Sequence, residues 1–187
     1  MGQDFFSGAL LEWELALSHV GWHHGLFALA YGVCAWFCVV AAYAARQNQE
    51  NPQPWWLAAV LLLLLGLNTV FQLDLLLVLL LRTGARLQGW YQERRLLQYP
   101  LLLTLGASGL VLLAWLRTRI ENDWPLLWPI VLGLGLLVAV AGLRLVSFHA
   151  SDELLDARLW GVSTGRWLEL AGMIGVVAGA RNWLTTR

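Results

Sequence analysis

The stretch "WWLAAVLLLLLGLNTVFQLDLLLVLLLR", Trp55 to Arg82, decides how this chain is laid out. As one unbroken helix its 28 residues reach about 42 Å at 1.5 Å per residue, against a hydrocarbon core of about 30 Å. Asn68, Gln72 and Asp74 interrupt the apolar run, and an acid at the bilayer centre costs roughly 2.5–3.5 kcal/mol on insertion scales. Two readings compete. Either the span continues to Leu81 with Asp74 inside a bundle, or it stops near Asp74 and a second apolar segment lies along the interface towards Tyr99. Length favours the second reading.

The rest of the chain has the same character. Of its 187 residues, 59% are hydrophobic and 13% charged, with a mean hydropathy of +0.62; a soluble domain is nearer half and a quarter. This is the composition of an integral membrane protein, with room for roughly four or five spans and little else. The expected fold is all-α: a polytopic transmembrane helical bundle of four to five spans with interfacial helices. Residues 1–21 alternate apolar and acidic side chains at near-helical spacing, which predicts an interfacial amino-terminal segment. Residues 22–187 form a single transmembrane domain, with spans near 22–45, 55–73, 100–116, 124–149 and 167–183. The links "RQNQENPQP" and "RTRIENDWPLLWP" carry the polar residues and prolines that end one helix and start the next.

Charge excludes some functions. All twelve basic residues are arginine and the net charge is zero, so no polybasic tail or nucleic-acid stripe exists. The amino terminus has no basic start and carries three acids, Asp4, Glu12 and Glu14, so no cleavable signal is expected. Arginine counts give six on one side of the membrane and five on the other; the cluster Arg82, Arg86, Arg94 and Arg95 places its side in the cytoplasm.

An even number of spans between them brings His19, His23, His24, Asp74, the "WYQERR" link and "RLVSFHASDEL" (Arg144–Leu154) to one membrane face. Chemistry is sought there. His149 with Asp152 at i,i+3, together with His19 and His23 four residues apart, makes a ligand set suited to a divalent metal such as zinc or iron. Candidate catalytic residues are His149, Asp152, Ser147, Asp74 and Glu169. Ser147 and His149 fall on different helix faces, so no serine triad is spelled, and all four histidines lie at helix edges, which argues against haem. Arg144 cannot lose its charge. It either snorkels to the surface or pairs with Asp74 or Glu169 as a structural ion pair.

Trp90, Tyr91, Arg94 and Arg95 are candidates for holding a lipid headgroup, with guanidinium forks on a phosphate and rings at headgroup depth; the plainer reading is an interfacial anchor. Cys34 and Cys38 share a helix face, a poor geometry for a disulfide, and read as packing residues. Gly175 and Gly179 form a GxxxG pair suited to internal packing or to association with another membrane protein or a second copy.

The patterns "LGLN…QLDL", "GWYQERRLLQ", "RLVSFHASDELL" and "RWLELAG" resemble a widespread family of small uncharacterised bacterial multi-span membrane proteins, over about residues 57–180. The resemblance implies a multi-pass architecture in a bacterial inner (cytoplasmic) membrane and no particular activity. Packing and anchoring motifs outnumber any catalytic constellation. The expected role is therefore a non-enzymatic accessory, assembly or scaffold subunit, the alternative being a membrane-embedded enzyme or lipid-binding protein with a polar site at His19, His23, His149 and Asp152.

Overall fold

A computed structural model of the chain describes residues 2–87, 114, 124–146, 155–159 and 161–186. Helix dominates. The described helices are α1 (Gly2–Ser18), α2 (Trp22–Gln47), α3 (Gln53–Phe71), α4 (Leu73–Leu87), α5 (Trp124–Val146) and α6 (Thr164–Thr186); strands β1 (Arg158–Leu159) and β2 (Val162–Ser163) form a small antiparallel hairpin before α6. Among the described residues, three segments are long and apolar enough to cross a membrane: α2, α3 and Leu127–Arg144 of α5. That is compatible with an integral membrane protein. The segment expected as a span at 100–116 lies outside the described residues, apart from Ala114.

The polar interruptions end helices by identifiable chemistry. After α2, Gln49 takes a left-handed φ of 59°, the Glu50 amide donates to the Ala45 carbonyl at 2.8 Å and that of Gln49 to Arg46 at 3.3 Å. This pair of bonds closes a helix on a left-handed residue. Asn51 Oδ1 then accepts the Gln53 amide at 3.0 Å, and a proline in the first turn of α3 wastes no amide that the helix needs.

The long apolar stretch breaks at Gln72, whose φ of 48° is left-handed. Its amide closes α3 on the Asn68 carbonyl at 2.8 Å, while the Asn68 side chain accepts the Asp74 amide at 2.8 Å. One asparagine thus finishes one helix and caps the next. The Phe71 carbonyl, orphaned at the end of α3, accepts the Trp13 indole N–H at 2.8 Å, which ties α1 to the break. From there α4 packs on α1 and touches α3 and α5. The chain therefore does not run on as one helix to Leu81.

Each of the four longest helices buries a seam with alternating steps of three and four residues, the spacing that keeps one stripe facing a partner. In α2 it is His24, Phe27, Tyr31, Cys34, Cys38, Ala41 and Ala45; in α3, Trp55, Ala59, Leu62, Gly66 and Thr69; in α5, Ile130, Gly133, Leu137, Val140 and Arg144; in α6, Gly165, Glu169, Gly172, Val176, Gly179 and Trp183. Most of these positions are buried. α2 packs along α3, α5 along α6, and α2 against α6, so the helices stand in the order α3, α2, α6, α5.

Lipid offers no hydrophobic drive for helices to meet, so close backbone approach has to supply the attraction. A Cβ on Gly133 would lie 2.5 Å from the Gly172 carbonyl oxygen, and one on Gly172 would lie 2.7 Å from Leu137 Cγ. α5 and α6 touch backbone to backbone there. The Gly175 and Gly179 face is occupied by the same neighbour: a Cβ on Gly175 would lie 3.1 Å from the Pro129 carbonyl oxygen, and one on Gly179 would strike Ile130. Cys34 and Cys38 are free thiols buried in the α2 seam, with the Cys34 thiol directed at the Met173 carbonyl at 3.8 Å.

Candidate functional site: a charge cluster at one end of the bundle

Helix direction brings the polar ends of all four seams together. α2 and α6 begin, and α3 and α5 finish, at one end, where His24, Thr69, Arg144 and Glu169 meet. Aromatic rings mark the other end, with Trp55 and Trp183 5.0 Å apart between centroids.

At the centre of the polar end is Glu169, 2% exposed. Its Oε1 is ion-paired with Arg144 Nη1 at 2.6 Å, and its Oε2 accepts from Arg166 Nη1 at 2.8 Å. Each carboxylate oxygen thus faces a guanidinium, and the bond from Arg166 is charge-assisted, the strong class of hydrogen bond. Arg166 sits one turn before Glu169 on α6, the i,i+3 spacing that lets helix side chains meet, whereas Arg144 arrives from the last turn of α5. The Arg166 guanidinium also lies 4.4 Å from the Phe27 ring centroid, within cation–π range. Three helices are joined through one carboxylate and its two arginines.

His24 extends the cluster to α3. Its Nδ1 is 3.1 Å from Arg166 Nη2 and 3.0 Å from the Thr69 carbonyl oxygen. A bare Nδ1 accepts from the guanidinium, while a protonated Nδ1 donates to the carbonyl. The tautomer selects whether His24 ties α2 to α6 or to α3. The Thr69 carbonyl belongs to the last turn of α3 and has no next helical amide to receive.

No family model matches this sequence, and no curated protein or solved structure matches it. The reading of the site therefore rests on its geometry.

The residues singled out in the sequence fall in different places. Arg144 and Glu169 are in contact. Asp74 is not part of the pair: it opens α4 below the Asn68 cap. His19 turns back on its own helix, with Nδ1 2.8 Å from the Leu15 carbonyl oxygen and 3.2 Å from Ser18 Oγ. His23 is exposed, its ring centroid 4.4 Å from that of His24. Because α1 ends at Ser18 and α2 starts at Trp22, the step of four from His19 to His23 crosses the link between two helices, and their separation is not a helical one. His149, Asp152 and Ser147 lie outside the described residues, as do Trp90, Tyr91, Arg94 and Arg95. Among the described residues no group of three His, Cys, Asp or Glu is placed to hold a metal.

Of the cluster, His24 was expected at this face but not as a site residue, and Arg166 and Thr69 were not expected in a site. The signal for Arg166 was available in "RWLE", an arginine three residues ahead of an acid on an apolar helix. For His24 it was the seam itself, which His24 begins.

Proposed function

We propose that this protein is an integral membrane protein of the bacterial inner membrane that serves as a non-enzymatic accessory, assembly or scaffold subunit. The observation that carries the reading is the Arg144–Glu169–Arg166 cluster, in which one oxygen of a buried carboxylate joins α6 to Arg144 of α5 and the other is held by Arg166 of the same helix. Groups used in this way fix helix registry and hold a rigid surface for another component.

On this reading α6 is a fourth spanning helix. Its 23 residues reach about 34 Å, and its own two charges near the polar end, Arg166 and Glu169, pair with each other. The outward faces of α2 and α3, with Trp22, Leu29, Trp36, Leu57, Leu63 and Leu64 exposed, then meet lipid, and α1 and α4 lie at the interface.

The test is isolation of the tagged chain from native membranes in mild detergent. A membrane-protein partner recovered in fixed stoichiometry is expected. Recovery of the chain alone, or a stoichiometric metal lost on His149→Ala substitution, overturns the accessory role; the second result favours the metal-dependent enzyme with His19, His23, His149 and Asp152 as ligands.

A further inference from the structure

The cluster does not balance its charge. Two guanidiniums that stay protonated at any relevant pH face one carboxylate, and His24, as acceptor or neutral donor, adds no negative charge. Among the described residues this leaves one positive charge in excess where α5 stops and α6 starts. In a medium of low polarity such an excess is costly and attracts a counter-anion.

The exposure is uneven, and that decides where an anion fits. The Glu169 side chain is 3% accessible, Arg166 13% and Arg144 29%, so Arg144 forms the open edge. Its Nη1 is engaged by Glu169, while Nη2 stands over Gly165, 3.2 Å from where a Cβ would be. Glycine there leaves room for the guanidinium to lie across the start of α6. Among the described residues Nη1 alone meets a carboxylate, and the edge formed by Nη2 and Nε has the paired N–H geometry that suits two oxygens of a phosphate.

We propose that the open edge of Arg144, backed by Arg166, binds a phosphate carrying net negative charge, the chemistry shared by an anionic lipid headgroup and a free phosphate. Arg144 is two residues from the end of α5, a depth from which a long basic side chain reaches headgroup level. The inference is independent of the accessory role and of any protein partner.

Full-length protein in a neutral detergent provides the test, by thermal unfolding against added phosphatidylglycerol, phosphatidylcholine and inorganic phosphate. The wild-type midpoint is expected to rise saturably with phosphatidylglycerol and not with phosphatidylcholine. Arg144→Lys keeps the charge and the Glu169 pair but lacks the second fork edge; its half-saturating concentration is expected to rise about tenfold or more. Arg144→Gln is expected to lose the response, and Arg181→Gln, which removes the same charge at the far end of α6, to keep it. Inorganic phosphate that competes with phosphatidylglycerol at the same variant-sensitive site assigns the ligand to free phosphate and supports the proposal. Wild-type behaviour in Arg144→Lys and Arg144→Gln, an Arg181→Gln loss as large as that of Arg144→Gln, or an equal response to both lipids overturns it. Should Arg144→Gln not fold, the lysine variant decides, since it retains the ion pair.

Discussion

At the scale of single residues, Glu169 is the position whose replacement should cost most. Removing one partner of a buried pair strands the charges left behind, typically at about 3–5 kcal/mol, and here two arginines are stranded. Glu169→Ala is therefore expected to lower unfolding free energy in detergent by about that amount. Glu169→Gln keeps an acceptor but no charge and should fall between alanine and wild type. A loss under about 1 kcal/mol for the alanine variant would mean that the pair behaves as a solvent-screened surface bridge. A double-mutant cycle between Arg144 and Glu169 isolates the contact itself, expected within about 0.5–3 kcal/mol. Glu169 and Arg144 were legible as ionisable groups set in apolar runs, because such groups need partners. Their pairing stood among the alternatives for Arg144, beside a pair with Asp74 and a snorkelling side chain; the choice was not legible, since spacing along one helix says nothing about which neighbouring helix end arrives beside it.

Helix elements answer to packing and to caps. Gly133 and Gly135 stand two residues apart on α5, yet a Cβ at the first would strike the α6 backbone while one at the second meets nothing within 4 Å. Gly133→Ala should destabilise by about 1–3 kcal/mol through overpacking, whereas Gly135→Ala should be neutral or stabilising by up to about 1 kcal/mol. Equal effects at the two sites would show that the α5 and α6 backbones do not approach as described. The break between α3 and α4 rests on Asn68. Asn68→Ala removes the acceptor for the Asp74 amide, with an expected cost of about 1 kcal/mol and faster hydrogen exchange in the first turn of α4. Unchanged exchange there would place the cap elsewhere. This break was readable from "GLNTVFQLD", since polar residues within an overlong apolar run point to a stop. The left-handed Gln72 and the bond from Trp13 were not readable, because each depends on geometry between segments.

For the whole molecule, the proposed fourth span makes a topological prediction. With Cys34 and Cys38 replaced by alanine, a single cysteine introduced at Ser163 and another at Thr185 should react with a membrane-impermeant maleimide from opposite sides of a sealed vesicle. Labelling of both from one side would make α6 a half-inserted helix and remove it as a span. The native thiols, buried in the α2 seam, should stay unlabelled until the protein is denatured. The sequence by itself determined that the chain is mostly helical, with helices expected at 22–45, 55–73 and 124–149 and an interruption at Asn68–Asp74, because apolar run length and backbone hydrogen bonding in lipid permit few alternatives. Only the tertiary structure decided that His24, Thr69, Arg144, Arg166 and Glu169 make one connected set of contacts at the polar end of the bundle, and that the Gly175 and Gly179 face is filled by α5. Those contacts arise from the order and direction in which helices pack, which spacing within a single helix does not encode.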